Sequence, residues 1–149
     1  MFSKRILFPT DFSPDSDAAL EMAASLARDW KASLLILHVE VIPLTTGGGE
    51  LFYVAPDPPT RELQERLSDV VPSDKSIVVE HRLLAGDPAE AIVRVAETEN
   101  IDLIVMGTHG RRGLARLLMG SVAEAVVRAA PCPVLTMKQP AHAEVASSL

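Results

Sequence analysis

The run Ile101-Asp-Leu-Ile-Val-Met-Gly107-Thr-His-Gly110-Arg-Arg-Gly113-Leu-Ala-Arg-Leu-Leu-Met-Gly120-Ser121 passes from a nearly all-apolar segment, through a glycine- and arginine-rich one, into a helical pattern. Ile101–Met106 suits a strand buried on both faces, as at the centre of a parallel sheet. Beyond Ser121, the residues Val122, Ala125, Val126 and Ala129 share one helical face, so a helix with these turned inward is expected. Strand, loop and helix in that order make one step of βα winding.

The same alternation extends in both directions. Upstream, Arg5–Phe8 reads as a first strand stopped by Pro9. Ser13 offers an N-cap with Pro14 at the first helical position, and Asp15 and Asp17 suit the dipole of the first turn. Ala19, Ala23, Leu26, Ala27 and Trp30 then lie on one face of a first helix. Ser33–Val41 reads as the second strand. Residues 42–59 hold Gly47, Gly48, Gly49 and four prolines, and read as an irregular, mobile surface loop. A short second helix follows, with Thr60 as its cap and Leu63, Leu67, Val70 and Val71 on one side. Ser76–Leu83 carries Glu80, His81 and Arg82, so it reads as an edge strand. Gly86-Asp87-Pro88 supplies a turn and cap for a helix whose buried side is Ile92, Val95 and Ala96. Downstream, Pro131-Cys132-Pro133 breaks the last helix, Val134–Met137 is the fifth strand, and 139–149 reads as a frayed, flexible tail.

These elements predict a single nucleotide-binding domain over 1–138. Its fold class is α/β: an open, doubly wound parallel five-stranded sheet, most simply in the order 3-2-1-4-5, with helices on both faces. Ligands of such sheets sit beyond the carboxyl ends of the strands, where the winding reverses. Here that crevice falls between the first strand, ending at Pro9-Thr10-Asp11, and the fourth, ending at Met106-Gly107. A chain of 149 residues, 48% hydrophobic, can fill the core this requires, burying roughly 68–70% of its unfolded surface. With only 4% aromatic residues, that core must be aliphatic.

Composition narrows the function classes. The apolar stretches fall far short of the ~20 residues a membrane helix needs. The N-terminus lacks the apolar core of a secretory signal. A lone Cys132 excludes an internal disulfide framework or a cysteine-based zinc cluster. These features predict a cytoplasmic protein without membrane insertion. A net charge of −6 argues against general binding to nucleic acid or anionic lipid.

Against that acidic background, Leu103–Ala123 holds Arg111, Arg112 and Arg116 and no carboxylate. Four of the eight glycines, Gly107, Gly110, Gly113 and Gly120, are in the same segment. Glycines allow close backbone approach or positive φ, amides exposed by such turns bind anions, and a helix N-terminus after Gly120 does likewise. Glycines can also simply end a strand, and arginine pairs often decorate a solvated face. Position at the switch point favours a phosphate chain, with Arg111, Arg112 and Ser121 as clamps. The segment is neither a Walker A loop, having no Gly-Lys-Ser/Thr, nor a GxGxxG turn after the first strand.

Gly107-x-x-Gly110, nine further residues, then Gly120-Ser121 resembles the nucleotide motif of the universal stress protein family, in its ATP-binding branch. The likeness extends to Ile6-Leu-Phe-Pro-Thr-Asp-Phe-Ser13, Leu35-Ile-Leu-His-Val39, Asp102-Leu-Ile-Val-Met-Gly107 and Cys132-Pro-Val-Leu135. It implies an adenine-nucleotide alpha-hydrolase-like fold and a regulatory or stress-response module that holds ATP. By the resemblance, Pro9, Thr10, Asp11 and Val39 line the adenosine half. Met106, Gly107, Thr108, His109, Gly110, Gly120, Ser121 and Val122 then hold ribose and phosphates. The short second helix and its Pro56–Pro59 approach depart from the family pattern on the adenine side. Magnesium is expected to arrive with ATP, through phosphate oxygens and water.

Single residues carry alternatives. Asp11 can bind ribose or base amine, or form an Asx-turn ahead of the first helix. Ser121 is an N-cap or a phosphate donor. His109, between glycines, favours a ligand contact. His38 reads as a core or strand-end histidine, and His81 and His142 as uninvolved. No histidine pair has metal-ligand spacing. Cys132 reads as a buried strand-start residue, and Glu124 as a solvated helix position. Fast phosphoryl transfer needs a metal-held phosphate and a positioned base or water. Asp11 is the one carboxylate placed to organise a metal, so no catalytic residue is assigned and hydrolysis is expected to be at most slow. The rivals are a slow ATPase on the same fold and a dimerisation module that binds no nucleotide. An ATP pyrophosphatase would carry Ser-Gly-Gly-x-Asp-Ser after the first strand, and a receiver domain an Asp after the third; neither is present. The edge strand Val134-Leu135-Thr136-Met137 is apolar and invites pairing with a second copy, and the resemblance implies such a homodimer. A downstream protein partner is not identified.

Overall fold

Residues one apart on a strand point to opposite faces, so a strand apolar at every position demands cover on both. The computed structural model describes residues 4–41, 44–47, 50–53, 61–108 and 119–138, and that demand is met. In chain order the elements are β1 (Arg5–Pro9), α1 (Asp15–Trp30), β2 (Ser33–Val41), β3 (Leu44–Gly47), β4 (Glu50–Tyr53) and α2 (Arg61–Ser68). Then come β5 (Val79–Gly86), α3 (Pro88–Thr98), β6 (Leu103–Gly107), α4 (Ser121–Ala129) and β7 (Val134–Met137). The main sheet runs β5-β2-β1-β6-β7, parallel throughout. Setting aside the small hairpin β3–β4, this is the order 3-2-1-4-5.

The strand pleat sorts the core into two layers. Ile6, Phe8, Leu34, Ile36, Leu103 and Val105 face α1, whose Ala19, Ala23 and Ala27 let the helix lie close. Leu7, Leu35, Leu37, Ile104 and Met106 face α3 and α4, meeting Ile92, Val95, Ala96, Ala123 and Val126. At the amino ends of the strands, Arg5, Glu80, Arg82 and Glu99 close a ring of ion pairs that ties β1 and β5 to the end of α3.

Several boundaries differ from the sequence reading. Residues 44–53 hold an antiparallel hairpin, Leu44↔Tyr53 to Gly47↔Glu50, where an irregular loop was expected. The third strand is Val79–Gly86, displaced from Ser76–Leu83. Asp74 Oδ1 accepts from both Ser76 N–H and Ser76 Oγ, turning the chain there instead. The fourth strand is Leu103–Gly107, with Asp102 accepting from Arg5 N–H just before it. Helix α1 is capped by Pro14, not Ser13, and without a side-chain bond. Trp30 is 40% exposed, under the Lys4 ammonium rather than in the core. Helix α2 ends at Ser68, so Val70 and the exposed Val71 lie beyond it. On α4 the buried residues are Ala123 and Val126, while Ala125 and Ala129 are exposed beside α3. The last stripe is one residue off because a 3.6 period over a short helix fits either register. Asp87 does cap α3, accepting from Glu90 N–H at 2.9 Å with Pro88 at the first position. Gly86 before it has φ of 142°, a backbone that side chains rarely adopt. Thr60 and the tail 139–149 lie outside the described residues.

Candidate functional site

β1 pairs with β2 along its whole length, from Arg5↔Ser33 to Pro9↔Leu37. With β6 it pairs only at Ile6↔Leu103 and Leu7↔Ile104. Past Leu7 the two central strands turn their bonds outward: Thr10 N–H donates to Leu37 O at 2.8 Å, and Thr108 N–H to Met137 O at 3.0 Å. The sheet therefore parts at the carboxyl ends of β1 and β6, where the winding reverses.

One wall is the Pro9-Thr10-Asp11 end of β1. Thr10 is buried, and its Oγ1 accepts from Phe12 N–H at 3.1 Å. Asp11 Oδ1 accepts from Ser13 N–H and Ser16 Oγ, at 3.0 and 3.1 Å, so the Asx-turn is formed. Val39 is buried on β2, beside His38. His38 Nδ1 lies 2.7 Å from the Thr10 carbonyl oxygen. A carbonyl only accepts, so the proton is on Nδ1. His38 is thus buried, as a strand-end histidine should be, and it also grips the crevice wall. His81 similarly donates from Nε2 to Val70 O, away from the crevice.

The other wall is Met106, Gly107 and Thr108. Thr108 is buried, and its carbonyl accepts from Gly120 N–H at 2.6 Å. That bond brings the start of α4 to the end of β6. Gly120 is the N-cap (φ −71°, ψ 163°), and among the described residues no side chain caps the helix. Ser121 is therefore the first helical residue, exposed, rather than the cap the sequence suggested. Glu124 N–H is the first to bond within the helix, to Gly120 O. The Ser121, Val122 and Ala123 N–H groups have no partner inside α4, and the helix dipole adds positive potential there. α3 contrasts, since the Asp87 carboxylate occupies its N-terminus. Helix N-termini of this kind favour anions.

Ten of the fourteen residues singled out from sequence are brought to these elements or close beside them. His109, Gly110, Arg111 and Arg112 are the exception in kind: they lie outside the described residues. Among the described residues, no group of three His, Cys, Asp or Glu side chains could hold a metal ion, and no helix is long and apolar enough to cross a membrane. Cys132 is half-buried before β7; burial pushes its thiol up, and the Asp102 carboxylate adds to this. Glu124 is exposed and paired with Arg128.

The model of the universal stress protein family matches residues 3–138. The chain belongs to the universal stress protein family. Universal stress protein MJ0531 of Methanocaldococcus jannaschii is 38% identical over 144 residues, covering 92% of this chain and 83% of that protein. Among solved structures, the universal stress protein from Archaeoglobus fulgidus in complex with dAMP is 26% identical with a TM-score of 0.62. The match covers 91% of this chain and 98% of that one. A universal stress protein in complex with cAMP is 25% identical with a TM-score of 0.63, covering 94% and 100%. Sequence reasoning missed Phe12 and Arg66, which stack at 4.4 Å beside this wall.

Proposed function

We propose that this universal stress protein is a cytoplasmic, dimeric regulatory module that holds ATP between the ends of β1 and β6. The observation that carries the reading is the N-terminus of α4, which no described side chain caps and which is bonded through Gly120 to the end of β6 where the sheet parts. Phosphates suit the amides at this helix start, with Gly107, Thr108, Gly110, Gly120, Ser121 and Val122 around them and His109, Arg111 and Arg112 from the intervening segment. Pro9, Thr10, Asp11 and Val39 receive the adenosine end. The related structures with dAMP and cAMP support an adenine nucleotide as the ligand class. Mg²⁺ arrives on the phosphates, held by their oxygens and water.

Low-micromolar binding corresponds to about −8 kcal/mol. At ligand about a hundredfold above Kd, stability rises by about 2.7 kcal/mol. For a chain of this size that lifts the melting point by roughly 5–11 °C. A melt unmoved by millimolar Mg-ATP refutes the reading. With no assigned base, phosphate release in the same samples should fall well below the ~10 s⁻¹ of a median enzyme; turnover at that level would make the protein an ATPase instead.

The dimer rests on β7, the last strand of the sheet, where Leu135 is exposed. Pro133 O accepts from Ile104 N–H and Met137 O from Thr108 N–H. Alternation then turns the backbone groups of Val134 and Thr136 outward, toward a second copy. Thr136→Pro removes one outward donor while sparing the bonds to β6. Light scattering should show a wild-type dimer and a monomeric variant. A wild type that is monomeric at tens of micromolar (about the range where weak pairing shows) ends this part of the proposal.

A further inference from the structure

Phe12 follows the Thr10-Asp11 wall directly and has φ of 65°. Among the described residues, two other non-glycine positions have positive φ, Lys31 and Asn100. Both follow helix ends, where left-handed backbone is routine. Phe12 precedes a helix, and a bulky side chain in this region is an outlier. Such backbone persists only where its surroundings over-determine it, and it gathers at ligand sites.

The surroundings are specific. The Arg66 guanidinium, from α2, lies 4.4 Å from the centre of the Phe12 ring. The His38 ring, from β2, lies 4.3 Å away at a tilt of 40°. His38 in turn donates to the Thr10 carbonyl, and Phe12 N–H to Thr10 Oγ1. The wall is thus gripped on both its backbone and its side chain by one stack. We propose that Phe12, clasped by Arg66 and His38, is the positioning residue of this site, holding Thr10 and Asp11 in the ligand-competent form and tying that form to α2. What the wall receives rests on the nucleotide reading above; the order of the wall itself does not.

A site competent for only a fraction of the time binds weaker by that fraction. Phe12→Gly separates the clasp from the fold, because glycine adopts φ of 65° without strain yet offers no ring to hold. Two readouts are needed: Mg-ATP affinity by calorimetry, and amide exchange of Ser13 N–H, which donates to Asp11 Oδ1, in the ligand-free protein. Phe12→Gly should raise Kd about tenfold and speed Ser13 exchange by a similar factor. Arg66→Ala should shift both about threefold, and Phe12→Tyr should restore both. Wild-type exchange in Phe12→Gly overturns the inference whether or not nucleotide binds. Faster exchange with an unchanged Kd also overturns it, leaving Phe12 a packing residue. Faster exchange in a protein whose wild type binds no nucleotide supports the clasp and overturns only the choice of ligand.

Discussion

Phe8→Ala is expected to cost about 3–5 kcal/mol, the largest stability loss from any single truncation in this core. Phe8 is fully buried and heads the completely enclosed side chains by size. It faces α1, where Ala19, Ala23 and Ala27 are already the smallest residues that could line the helix. The alanine methyls cannot swing into the gap, and the parallel strands on either side hold the backbone in place. The cavity therefore stays open, and the cost falls toward the upper end of that range. A loss of this size lowers the melting point by roughly 6–20 °C, against a total stability of about 5–15 kcal/mol for a typical domain. Denaturant melts of the two proteins with equal m-values give the difference directly. A loss under about 1.5 kcal/mol would mean that α1 collapses onto β1 after all.

That packing also explains how much of the fold was legible. Leu34–Leu37 and Leu103–Met106 are apolar at every position, which only a strand covered on both faces requires, so the central strands and the winding follow from sequence. Asp87-Pro88 reads correctly because its cap chemistry is local. The hairpin Leu44–Tyr53 escaped because Leu44-Thr-Thr and Glu50-Leu-Phe-Tyr show no alternation, and the glycines and prolines around them signal a loop. The start of β5 escaped because Asp74 and Ser76 turn the chain where the apolar pattern had already begun. At the site, the crevice residues follow from topology. Phe12 does not, because nothing in Asp-Phe-Ser announces a left-handed aromatic; its φ is set by contacts with His38 and Arg66, distant in sequence.

Gly110→Val is expected to weaken nucleotide binding at least about a hundredfold, near 2.8 kcal/mol, without shifting the melting point of the ligand-free protein. The chain leaves the sheet at Thr108, buried and bonded to Met137, and re-enters at Gly120, bonded back to Thr108. Gly110 is thus two residues in sequence beyond Thr108, in the motif Gly107-x-x-Gly110 that the proposed reading assigns to the phosphates. A phosphate held by backbone amides needs the chain within hydrogen-bond reach, and a β-branched side chain stands in that space. A β-branched residue also resists positive φ, which glycine adopts freely. Both effects act on the ligand, and Gly110 is not among the residues of the two core layers described above. Gly113→Val is the matched control: the same change in the same segment, outside the motif, should leave affinity within about threefold. Calorimetric titration of both folded variants with Mg-ATP decides between them. Wild-type affinity in Gly110→Val would show that the phosphates, if bound, do not need Gly110 and rest on α4.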